Sequence, residues 1–159
     1  MGNKILIKNF GDGRTQQLEE IGNFSLDTLD EKVTELREAT TVVYQDYIEV
    51  DRRMRAALSL LSMYEEDSKQ RIKYDQIYTS YETVVRDRFV PVLERDLLDA
   101  DYASRNLSSL EEYKQLITFI FGIKNATILL PFEDQETSTY FVKWEDIYSR
   151  TETKKLELT

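Results

Sequence analysis

The sequence predicts a mainly α protein of α+β character, in which a long amphipathic helix sits in a helical bundle or hairpin. A small β element is expected from the N- and C-terminal segments. Three observations carry this. Apolar residues recur at alternating steps of four and three from Leu29 to Tyr64, helical spacing recurs between residues 26 and 121, and strand-like composition marks both chain ends. Five glycines and two prolines in 159 residues are few, which fits long elements joined by few turns. A chain of this length can bury a core as a single domain, residues 1–159, without metal or disulfide staples.

Within that domain, residues 1–24 form an N-terminal strand and turn segment. Lys4-Ile5-Leu6-Ile7-Lys8-Asn9-Phe10 is short, apolar and partly β-branched, and Gly11-Asp12-Gly13 closes it as a turn. The glycine pair has neither the Lys-Ser/Thr of a phosphate loop nor the spaced carboxylates of a calcium loop. Residues 14–21 read as a further strand or a turn or two of helix, ended by Gly22-Asn23. Met1-Gly2-Asn3-Lys4 approaches a myristoylation pattern, but Leu6 stands where Ser or Thr is required.

Residues 25–122 form the helical body. Its seam is Leu29, Val33, Leu36, Thr40, Val43, Tyr47, Val50, Met54, Ala57, Leu61 and Tyr64, all apolar except Thr40. Steps of three and four return to one side of a 3.6-residue turn, so the pattern predicts one helix of about 50–55 Å. Ser25, with Phe24 and Leu29 as a hydrophobic staple, or a Thr28–Glu31 capping box, starts it. The flanks are charged or small early on (Asp30, Lys32, Arg37, Ala39) and become Leu58 and Leu60 later. The stripe is therefore expected to widen, with its narrow half meeting a partner and Leu58 and Leu61 belonging to the protomer's core. Arg52, Arg53 and Arg55 read as a solvated face paired locally with Glu49 and Asp51.

Seven polar residues, Glu65 to Arg71, interrupt the seam, and the pattern is compatible with either a turn or a polar mid-section. Tyr74, Ile77, Tyr78, Tyr81, Val84 and Val85 then form a second amphipathic segment, suited to a core margin or an interface. Pro91 either begins a helix or kinks one, and Leu93, Leu97 and Leu98 carry the apolar face towards Tyr102. Ser108-Ser109-Leu110-Glu111-Glu112 is the clearest helix start, since each serine has a glutamate three residues on. The helix it opens should bury Leu110, Tyr113, Ile117, Ile120 and Phe121, with Phe119 broadening the stripe until burial is almost complete. Gly122 is placed to end it.

Residues 123–159 are expected to supply the rest of the β element. Ala126–Leu130 reads as a strand ended by Pro131, and Phe132 to Glu136 as an acidic loop. Thr137–Trp144 reads as a strand with Tyr140, Val142 and Trp144 on one side, and Thr151–Thr159 as an edge strand or tail.

Composition then limits function. The chain has no Cys and no His, which removes disulfides, thiolate chemistry, the usual zinc site, His-based triads and the commonest general base. A net charge of −9 argues against binding through neutralised phosphates and favours basic or mixed partners. The densest carboxylate set is Glu94, Asp96, Asp99 and Asp101, where Asp96 and Asp99 share a helix face that suits a divalent cation. A charged outer face is the preferred reading, and no metal, cofactor or catalytic residue is assigned. Asn23, Asn106 and Asn125 fit the glycosylation triplet and are read as cap and turn residues.

These features favour a non-enzymatic structural or assembly protein acting through protein–protein contacts, as a homo-oligomer or in a larger assembly. A small virion or phage assembly component suits the profile. Leu36, Val43, Tyr47, Val50, Tyr74, Tyr78 and Tyr81 are the expected interface. The alternatives are an acidic inhibitor that mimics nucleic acid and a magnesium-dependent carboxylate enzyme. No direct nucleic-acid binding and no membrane segment are expected. The expected location is the cytoplasm or a particle assembled there, without secretion by a signal peptide.

Overall fold

In the computed structural model, residues 26–159 are described. The expectations for the N-terminal strand, the Gly11–Gly13 turn, the Ser25 cap and Asn23 lie outside them. The chain divides into two compact units, Met1–Val84 and Val85–Thr159. Every regular element among the described residues is helical.

In the first unit, helix α1 covers residues 26–38, α2 Tyr44–Leu61 and α3 Lys69–Val84. The single long helix is thus corrected to two, because the chain leaves helical structure at residues 39–43. The local cause is Thr40-Thr41-Val42-Val43, four β-branched residues in a row, each losing side-chain freedom in a helix. Asp46 then starts α2 afresh: its carboxylate accepts the Val43 N–H at 3.0 Å. Thr28 lies inside α1 and does not begin it.

The seam itself survives the break. Leu29, Val33 and Leu36 on α1 are buried, as are Tyr47, Val50, Met54, Ala57 and Leu61 on α2. The expected widening is met only in part: Leu60 is half-buried, but Leu58 is 41% exposed. The polar stretch after it is a turn, with α2 ending at Leu61 and the Ser68 hydroxyl accepting the Arg71 N–H at 3.2 Å as α3 begins. The two helices form an antiparallel hairpin, since the Tyr74 hydroxyl donates to the Met54 carbonyl and the Tyr81 hydroxyl to the Tyr47 carbonyl, each at 3.3 Å. Lys73 on α3 pairs with Asp27 on α1.

The second unit opens with a π-helical turn, Val85–Phe89, followed by α4 (Val90–Arg105), α5 (Leu110–Ile128) and α6 (Asp134–Leu158). Pro91 explains the wide turn before it: its ring and missing N–H oppose a normal bond to the carbonyl four residues back, so the helix loosens upstream and restarts with Pro91 in its first turn. The three helices pack pairwise as a bundle. Helix α5 runs antiparallel to α6, because Trp144 Nε1 donates to the Ile120 carbonyl at 2.6 Å while Tyr113 bonds Glu152, also at 2.6 Å. Helices α4 and α6 run in the same sense: Arg86 meets Glu136 near one end and Arg150 meets Asp101 near the other. The core between them includes Leu93, Leu97, Ile120, Ile123, Trp144 and Ile147.

The Ser108–Ser109 start of α5 is formed as the sequence indicates. The Ser109 hydroxyl accepts the Glu112 N–H at 3.1 Å, and the Glu112 carboxylate accepts the Ser108 N–H and hydroxyl. The other expectations for this region are corrected. Gly122 does not end α5, which continues to Ile128, and the predicted strand Ala126–Leu130 begins inside that helix. Burial is also less complete than expected, since Leu110, Phe119 and Phe121 are 42%, 37% and 39% exposed. The small β element is absent among the described residues: Thr137–Trp144 and Thr151–Leu158 all lie in α6. There Trp144, Ile147 and Thr151 recur at helical steps and face the bundle, and Val142 is 67% exposed. The threonines that favoured a strand instead bond back along the helix, Thr139 to the Gln135 carbonyl and Thr151 to that of Ile147.

Gly122 has a testable consequence. It lies within a helix with nothing within 4 Å of where a Cβ would stand. Gly122→Ala is expected to raise the stability of this unit by about 0.5–1 kcal/mol, measured by denaturant unfolding.

Candidate functional site

Of the expected interface residues, five are buried within the chain: Leu36, Tyr47, Val50, Tyr74 and Tyr81. Tyr78 is half-buried and Val43 is 60% exposed. The hairpin gathers four of these tyrosines. The Tyr78 ring centroid lies 6.1 Å from those of both Tyr74 and Tyr81, and the hydroxyl of Tyr81 ties it to Tyr47. Asp51, 7% exposed, sits close enough to these phenols to act on their ionisation. Burial first, and the charges nearby second, push the Tyr74 phenol up to about 12 and raise Tyr47 and Tyr81 further, so all three are neutral donors at ordinary pH. Arg55 pairs with Asp51 at 2.8 Å, as the local-compensation reading requires, while Arg52 and Arg53 are exposed. The hydrogen bonds in this group point inward, and its two phenol–carbonyl bonds fix the register of α2 on α3.

The carboxylates of α4 do not converge. Glu94 and Asp99 are exposed, Asp96 is half-buried, and Asp101 is engaged by Arg105 at 3.3 Å and Arg150 at 2.6 Å. Arg150 also bonds the buried Ser104 hydroxyl at 2.9 Å and Asp146 at 2.5 Å, forming a clasp between α4 and α6. Among the described residues no group of three or more acidic side chains is placed to hold a metal ion.

Burial pushes the Asp101 carboxyl up, but the Arg105 and Arg150 guanidiniums outweigh it and hold the group below the usual carboxylate range. A depressed pKa makes the clasp's contribution complete above the unfolded value, near pH 4, and lost as pH falls through the folded value. Asp101→Asn is therefore expected to be less stable than the natural chain at neutral pH. The gap should narrow below about pH 4, as read from denaturant midpoints across a pH series.

Among the described residues, α4 of the second unit borders surface grooves on both sides. One, of about 260 Å³, lies between α4 and α6 and is lined by Leu97, Leu98 and Ile147 together with Glu94, Arg105 and Lys143. The other, of about 420 Å³, lies at the α4–α5 corner, where Tyr102, Leu107, Leu116 and Phe119 meet Glu112 and Gln115. Leu98 and Tyr102, one turn apart on α4, are 72% and 71% exposed. A third cluster is aromatic: Trp144 and Tyr148 stack at 5.0 Å, Phe121 meets both edge-on, and the Lys124 ammonium lies 4.8 Å from the Trp144 ring. That cation is supplied by the chain itself, so the cluster acts as a brace between α5 and α6.

The α4 ridge departs from the expectation that Leu98 continues the apolar face of Leu93 and Leu97. The usable signal was the step of four from Leu98 to Tyr102, which is a stripe distinct from that of Leu93, Leu97, Ala100 and Ser104. No helix among the described residues is long and apolar enough to cross a membrane. No family model matches the chain, and no curated protein and no solved structure matches it.

Proposed function

We propose that this chain is a non-enzymatic assembly protein that works through protein–protein contacts, its own copies among the partners. The observation that carries the reading is the pair of large apolar side chains left in water on one helix of the second unit, Leu98 and Tyr102. The rest of α4 is not short of buried positions: Leu93, Leu97 and Ala100 fill its inner face. Large apolar side chains grouped on an outer face with charged groups around them are what a contact surface needs. The buried tyrosines of the α2–α3 hairpin support the same reading from another side, since they hold a scaffold in register.

The test is the mass of the full chain by light scattering over a wide concentration range. A mass that rises above that of one chain with concentration is expected. A single-chain mass throughout would overturn the self-association reading.

A further inference from the structure

The exposed side of α4 has a pattern that fits one particular occupant, another copy of the same helix. Glu94, Leu98, Tyr102 and Arg105 follow one another at steps of four, four and three, so they form one stripe along the helix. All four are exposed. The stripe has an acid at its N-terminal end, two large apolar groups in the middle and a base at its C-terminal end. Glu94 enters no ion pair among the described residues, and Arg105 keeps more than half of its side chain in water while pairing with Asp101.

A two-fold contact between identical surfaces requires that if one residue meets a second, the second meets the first. Antiparallel pairing of two such helices satisfies this for the whole stripe about one axis. Leu98 opposite Tyr102 places the axis level with Ala100, and Glu94 opposite Arg105 places it half a residue away, a displacement under about 1 Å along the helix. Charge and apolarity therefore demand the same register. Parallel pairing would set Glu94 against Glu94 and Arg105 against Arg105, which is repulsive at both ends.

We propose that a second copy of this chain docks on this stripe, α4 against α4 in antiparallel register, with Leu98 on Tyr102 of the other copy and Glu94 on Arg105. This rests on the self-association reading and specifies its surface and partner. The ends of the stripe set the orientation and register, and the apolar middle supplies the buried area.

The absence of cysteine from the chain permits a direct test. Leu98→Cys and Tyr102→Cys chains are prepared separately, mixed in equal amounts and oxidised mildly. Antiparallel docking predicts that the mixed 98–102 disulfide forms faster than either the 98–98 or the 102–102 product. Mass measurements on Glu94→Arg and Arg105→Glu chains form the second arm. Each alone should weaken association at least tenfold, and the double exchange should restore it, with unchanged circular dichroism throughout. If the natural chain associates but the mixed disulfide is not favoured and the charge exchange has no effect, the α4 surface is wrong while self-association stands. If the natural chain stays single, both fall.

Discussion

Trp144→Ala is expected to cost the second unit about 3–5 kcal/mol, the usual range for emptying a buried aromatic site. The side chain is 5% exposed, and four interactions end with it: the Nε1 bond to the Ile120 carbonyl at 2.6 Å, the stack on Tyr148, the edge contact with Phe121 and the Lys124 ammonium over the ring. Because this is the chain's only tryptophan, unfolding must be followed by circular dichroism rather than by its fluorescence. Trp144→Phe keeps a ring but removes the donor and some volume, so a smaller loss of about 1–3 kcal/mol is expected. Val142→Ala is the control. In a strand Val142 and Trp144 would share a side and lose stability together, whereas in α6 Val142 faces water and its truncation should stay within about 0.5 kcal/mol. A loss at Val142 equal to that at Trp144 would refute the helical assignment of this segment.

Tyr81→Ala should have an effect of similar size on the first unit, about 3–5 kcal/mol, because Tyr81 is fully buried between α3 and α2. Tyr81→Phe isolates the hydroxyl, whose bond to the Tyr47 carbonyl is worth about 0.5–1.5 kcal/mol. Both losses are expected to be independent of protein concentration, since a side chain in the chain's own core does not depend on a partner. A loss that shrinks as concentration rises would instead place Tyr81 at a contact between copies. Leu98 and Tyr102 carry the opposite expectation: substitutions at these two residues should change mass and leave monomer stability almost unaltered.

These paired expectations show why the tyrosines were legible as amphipathic but not as internal. Spacing alone places Tyr74, Tyr78 and Tyr81 on one side of a helix, and it does so equally for a core and for an interface. What settles burial is the turn after Leu61, which folds α3 back on α2. That turn uses neither Gly nor Pro, only serines that bond nearby backbone groups at Ser62 and Ser68. The candidate surface was hidden for a related reason. Leu98 follows Leu97 directly, and adjacent leucines point about 100° apart on a helix, so the core stripe centred on Leu93, Leu97 and Ala100 leaves Leu98, 72% exposed, outside it.

By itself the sequence determined the dominance of helix from Leu29 to Phe121, the apolar periodicity of α1 and α2, the capped start of α5 and the lack of any Cys or His chemistry. Each follows from residue identity or from a repeat within a few turns, which is the range over which a helix is specified. The tertiary structure alone decided three things: the C-terminal region is helical, Leu58 of α2 is exposed, and one side of α4 remains in water. Strand propensity at Thr137–Trp144 is a preference of well under 1 kcal/mol per residue. Seating Trp144 against Ile120 with its hydrogen bond satisfied outweighs it, and that gain exists only once α5 is in place beside α6.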